Sequence, residues 1–144
     1  NEQEGALLAG EALDENLAAL RFAKKVLSLG PSVLTITRGE RGSSAAWTSE
    51  GSDLVFRDFD ISPAGVPKDT TGCGDVFQMG FALRYLQTTD PVLASEFANR
   101  VAGVNCLLRG TEGIGGMGEH LGSTRCFDTP PSRKGQEGPE PGLS

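Results

Sequence analysis

Two glycines flanking one small residue, directly ahead of an acid and a helical run, constrain this chain more than any other feature. The stretch reads Asp69-Thr70-Thr71-Gly72-Cys73-Gly74-Asp75-Val76-Phe77. A helix entered through such a turn can aim the backbone amides of residues 72–75 into open space. Its N-terminus adds a partial positive charge. Together they form an anion hole suited to phosphate. Asp75 falls in the first turn, beside that hole. A carboxylate there can take a proton from a hydroxyl that attacks a phosphoryl group. On the residues alone a plainer reading is at least as good: Asp75 is a favourable first-turn acid and the glycines make a tight turn.

The elements around this stretch follow from periodicity. Residues 5–29 read as one helix, with Leu13, Leu17, Leu20 and Leu27 on one face and Gly30-Pro31 at its end. Asp14 can cap the part from Glu15 onward. Ser32–Thr37 reads as a buried strand, Gly39–Gly42 as a turn, and Ser44–Thr48 and Leu54–Phe59 as two more strands. A helix is predicted from about Gly72 to Leu86, with Phe77, Met79, Phe81, Leu83 and Leu86 supplying its buried side. Asp90-Pro91 opens another, a cap residue followed by a first-turn proline. It carries Leu93, Phe97, Val101, Val104 and Leu108 at helical spacing. The order helix, three strands, two helices suits an α/β sheet with helices packed on it. Residues 1–122 are expected to form part of one domain. Residues 123–144 are expected to be a disordered tail, rich in glycine and proline.

Charge and cysteine usage exclude several classes. The net charge is -6, with no basic stripe for a nucleic-acid backbone. No apolar run reaches membrane-spanning length. The three cysteines, Cys73, Cys106 and Cys126, are odd in number and widely spaced, which argues against a disulfide framework and against zinc. A reducing, cytoplasmic setting is the natural expectation. Cys73 at a helix start is either a reactive thiol or a small residue whose amide matters, and the second is favoured. The single histidine, His120, has no partner for a catalytic triad. Gly113–Gly118 spells G-x-G-x-x-G but follows a helical pattern, so it does not fit a dinucleotide turn.

The nine residues 69–77 resemble the second signature of PfkB/ribokinase-type carbohydrate kinases, usually DTTGAGDAF, with Cys73 and Val76 in place of alanines. Other elements follow the family's order. Asn1-Glu2-Gln3-Glu4 is similar to its N-x-x-E element. Thr37-Arg38-Gly39-Glu40-Arg41-Gly42 is similar to its T-x-G-x-x-G turn, and Asn99 stands where the family has a residue beside adenine. The resemblance covers about residues 1–110. It implies an α/β fold, a ribokinase-like three-layer sandwich around a Rossmann-like sheet, present here as a partial domain. Members are longer and carry their sugar-binding residues in an N-terminal half, which lies outside this sequence.

The activity implied is transfer of the γ-phosphoryl group of ATP to a sugar hydroxyl. Asp75 is then the base, and Gly72, Cys73 and Gly74 stabilise charge through their amides. Thr37, Gly39, Gly42, Thr71 and Asn99 border the nucleotide. Asn1 and Glu4 organise Mg2+ mainly through water, and Asp69 sits beside a monovalent cation, K+. Sugar and ATP are the expected ligands, and a homodimer the expected assembly. Two other readings stay open: a non-catalytic remnant that binds nucleotide or a partner chain, and a nucleoside kinase of the same superfamily. Plainer readings also stand for single residues. Glu4 is a helix-start acid, Gly39 and Gly42 are hairpin glycines, and Asn99 is a polar helix residue.

Overall fold

A computed structural model describes residues 1–13, 16–49, 53–61 and 65–108. The elements are helix α1 (Glu2–Ala9), helix α2 (Asn16–Leu27), strands β1 (Val33–Thr37), β2 (Ser43–Thr48) and β3 (Leu54–Phe59), and helices α3 (Cys73–Thr88) and α4 (Pro91–Leu107). The strands form one antiparallel sheet in the order β1-β2-β3. Thr37 pairs with Ser43 across the turn, and Ser43 pairs in turn with Phe59.

The pleat explains why both faces of this sheet are covered. Side chains alternate along a strand, and directly paired residues share a face. Leu34 and Ile36 of β1 therefore lie on one face. They pack there with Leu13 and with Ala18, Phe22 and Val26 of α2. Ser43 lies on the opposite face, where it meets α4. Helices thus flank the sheet on both sides, and α3 packs outside α4 through Phe77, Phe81, Ala98 and Ala102.

Three expectations need correction. The single helix over 5–29 is broken. Gly10 adopts a left-handed conformation (φ 76°) and its amide closes on the Ala6 carbonyl, which ends α1 after about two turns. The buried face of α2 is made by Ala18, Ala19, Phe22 and Ala23, whereas Leu17 is exposed. On α3, Met79 and Leu86 are largely exposed, and burial falls on Phe77 and Gly80 instead. The reason is steric. A Cβ on Gly80 would lie 2.6 Å from Val101 Cγ2, so the α3–α4 contact runs where the side chain is missing. Among the described residues the other element boundaries lie close to those expected, and the Asp14 cap lies outside the described residues. Asp90 caps α4, its carboxylate accepting from the amides of Val92 (2.8 Å) and Leu93 (3.2 Å).

Gly42 is needed for two reasons. Its φ is 77°, and a Cβ there would lie 2.1 Å from the Phe59 carbonyl oxygen, which cannot move without breaking the sheet. Gly42→Ala is expected to cost ~2 kcal/mol or more, from strain and overlap together. Gly80→Ala gains helix propensity but overpacks against a stiff valine, for a net loss of roughly 1 kcal/mol. Urea unfolding midpoints of the two variants test that order.

Candidate functional site

One cleft of about 370 Å³ opens between the end of β1, the following turn and the start of α3. Its wall includes Asn1, Thr37, Gly39, Gly42, Cys73, Gly74 and Asn99, seven of the residues singled out from the sequence. They come from four places in the chain, so the cleft is a product of the fold. The volume lies within the range of small-molecule sites.

The start of α3 supplies donors. Gly72 is left-handed (φ 76°) and precedes the first helical residue, which turns the chain sharply into the helix. The amides of Gly74 and Asp75 belong to the first turn, which has no intrahelical acceptor to offer them. The Cys73 amide is different: it donates to the Thr70 carbonyl at 3.2 Å. The Asp69 carboxylate accepts from the Thr71 amide at 2.9 Å and so shapes the approach to the turn. Thr70, not Thr71, faces the cleft; the Thr71 carbonyl instead accepts from Asn105 Nδ2 at 3.4 Å. Asp75 is exposed on the first turn and lies outside the cleft wall.

Asn99 is only 4% exposed, and its side-chain amide donates to Ser43 Oγ at 2.9 Å. The bond ties α4 to the first residue of β2 at the floor of the cleft. Asn1 and Glu4 form a reciprocal capping box at the start of α1: the Glu4 amide donates to Asn1 Oδ1, and Glu4 Oε2 accepts from the Asn1 backbone nitrogen. Asn1 reaches the cleft and Glu4 does not. The glycine-rich stretch from Gly110, with Gly113–Gly118 and His120, lies outside the described residues, as does the tail over 123–144.

Two features were not read from the sequence. The first is an ion network at the cleft rim. Arg38, with its side chain 11% exposed, pairs through Nη1 with Asp58 (3.2 Å), while its Nε faces Glu2 Oε1 at 3.9 Å, too far for a hydrogen bond. Arg41 pairs with Glu2 at 2.5 Å, and Ser44 Oγ donates to Asp58 at 2.5 Å. The network joins α1, the β1–β2 turn and β3. No spacing rule flags it, because its members lie far apart in the chain.

The second is a disulfide between Cys73 and Cys106, with Cα atoms 6.1 Å apart. The odd count and wide spacing of the cysteines had argued against a disulfide framework, and this one bridge runs against that argument. Thirty-three residues separate the two, so no local spacing announces the pair. The argument from cysteine count for a reducing compartment loses its premise. Among the described residues no helix is long and apolar enough to cross a membrane.

A sequence profile described as pfkB family carbohydrate kinase matches residues 1–114. The chain belongs to the pfkB family. Ribokinase from Bacillus subtilis (strain 168) is 30% identical to it over 104 residues, covering 69% of this chain and 33% of that protein. Arabidopsis thaliana ribokinase, solved in complex with ribose and ATP, superposes with a TM-score of 0.65 at 25% identity, over 76% of this chain and 34% of that one. Thermotoga maritima ribokinase gives 0.60 at 24% identity, over 77% and 34%. The pfkB chain described here thus spans about a third of the length of these relatives. Its α/β fold is ribokinase-like, as a partial domain.

The two arginines at the rim of this pfkB fold give a testable contrast. Arg41 is well exposed, and losing its pair with Glu2 costs at most ~1 kcal/mol. Arg38→Met strands Glu2 and Asp58 in a more enclosed setting. The loss expected is ~2 kcal/mol, below the ~3–5 kcal/mol of a fully buried pair because Asp58 is half exposed. Chemical denaturation of Arg38→Met beside Arg41→Met checks the ranking.

Proposed function

We propose that this chain supplies the nucleotide-binding and catalytic part of an ATP-dependent sugar kinase. The observation that carries the reading is the cleft whose wall brings together Asn1, Thr37, Gly39, Gly42, Cys73, Gly74 and Asn99. Membership of the pfkB family and likeness to a ribokinase complexed with ribose and ATP support it.

In this reading the ATP phosphates lie at the start of α3. The amides of Gly72, Gly74 and Asp75, helped by the helix dipole, stabilise charge on the transferring group. The adenine end extends past Gly39 and Gly42 toward Asn99. Asp75, exposed beside the turn, accepts the proton of a sugar hydroxyl. The new bond forms between that oxygen and the γ-phosphorus, the bond from γ-phosphorus to the bridging oxygen breaks, and ADP leaves. Magnesium would neutralise phosphate charge. Among the described residues no three His, Cys, Asp or Glu side chains lie close enough to hold a metal ion. Asn1 at the cleft wall, with Glu4 paired to it in the capping box, would hold the ion through water. A potassium ion beside Asp69 belongs to the same proposal. The sugar enters from the side on which Asp75 is exposed.

The test is steady-state kinetics of the protein as its source makes it, beside Asp75→Asn. Loss of the base is expected to lower kcat by about 10²–10⁴-fold, with ATP affinity changed less than threefold. Equal turnover in the two proteins removes Asp75 as the base. ATP binding without turnover in both, for every sugar tried, leaves a nucleotide-binding module in place of a kinase.

A further inference from the structure

The Cys73–Cys106 pair stands where it can control the cleft. Both residues line it. Cys73 is the first residue of α3 and the centre of the proposed anion-binding turn, and Cys106 is next to last in α4. Cys106 is buried, whereas Cys73 is half-buried and open to the cleft. Three hydrogen bonds already hold the turn against the end of α4. The Lys68 and Asp69 amides donate to the Cys106 carbonyl at 2.8 and 3.3 Å, and Asn105 Nδ2 donates to the Thr71 carbonyl. The sulfur bridge adds a covalent tie at the same point, so the turn stays docked whether or not the bridge is present.

What the bridge changes is the freedom of Cys73. In the bonded state the Cys73 amide is directed at the Thr70 carbonyl, and its side chain is anchored to a buried residue of α4. A rotation of Cys73 that carries its side chain along pulls on α4, which is buried along its last two turns. One of the four amides around Gly72–Asp75 is then withheld from an anion. With two thiols in place of the bridge, Cys73 can rotate and present its amide.

We propose that Cys73 and Cys106 are a reversible oxidation site, and that the bonded form binds nucleotide phosphate more weakly than the dithiol form. The inference rests on the reading of this cleft as the nucleotide site. The reaction is thiol–disulfide exchange with a low-molecular-weight disulfide such as oxidised glutathione. Two cysteine thiols are oxidised to one disulfide, the glutathione disulfide is reduced, and two glutathione thiols leave with the two protons. Linkage makes the effect reciprocal: if the bond weakens ATP binding by some factor, ATP disfavours the bond by the same factor.

The experiment equilibrates the natural protein in reduced and oxidised glutathione mixtures, with and without a non-hydrolysable ATP analogue. It counts thiols after denaturation, and measures analogue binding to the fully reduced and fully oxidised forms. Cys106→Ser is carried alongside. Oxidation is expected to remove two thiols from the natural protein and none from Cys106→Ser. The analogue Kd is expected to rise at least about fivefold on oxidation, and the glutathione ratio at half-oxidation to move by the same factor when the analogue is present. An unchanged thiol count overturns the proposal. So does an equal Kd in both forms, even if the oxidised protein melts higher, because the bridge is then only a staple. Binding in neither form overturns the cleft reading itself, an outcome distinct from equal binding in both.

Discussion

The placement of the candidate site depends on the burial of α4 on two sides at once. One face of the helix meets β2 and β3, the other meets α3, and residues 101–106 are all buried. A helix enclosed this way needs small side chains where neighbours press closest, and Ala94, Ala98, Ala102 and Gly103 provide them. Gly80 on α3 completes the fit. At the far end of α4 the Cys106 carbonyl accepts from Lys68 and Asp69, which fixes the segment leading into the Gly72 turn. In the middle, Asn99 holds Ser43 and with it the strand that follows the Gly39–Gly42 turn. One helix therefore sets the distance between the two halves of the cleft.

Polar groups in this core are paired for a physical reason. Asn99 and Ser43 are both nearly inaccessible, and an unpaired polar group at such depth costs ~1–3 kcal/mol. Their hydrogen bond removes that cost and adds direction, since it is satisfied in only one register of helix against strand. The rim network of Glu2, Arg38, Asp58 and Arg41 runs from a largely enclosed Arg38 to an exposed Arg41. Its exposed Arg41 pair adds little energy, and the network as a whole joins α1, the β1–β2 turn and β3.

How much was legible in the sequence depended on range. Local chemistry carried well. Asp90-Pro91 marked the start of α4, β-branched and aromatic runs marked the strands, and the glycines at 39, 42 and 72 do adopt positive φ. Of the residues the family resemblance singled out, Asn1, Thr37, Cys73, Gly74 and Asn99 line one cleft. Periodicity failed where it had to choose a face without knowing the neighbours. Met79 and Leu86 have the spacing of a core stripe, yet α3 turns its glycine and phenylalanines inward. The long-range pairs Cys73–Cys106 and Arg38–Asp58 had no signal, because residues 33 and 20 apart meet only once the sheet and helices are assembled.

The claim at the centre of this account is that the start of α3 holds nucleotide phosphates within the cleft. A crystal structure with a non-hydrolysable ATP analogue tests it directly. The account predicts phosphate oxygens within about 3 Å of the Gly74 and Asp75 amides, and the base on the Asn99 side of Gly39 and Gly42. An analogue bound elsewhere, or phosphates directed away from the Gly72 turn, would contradict it.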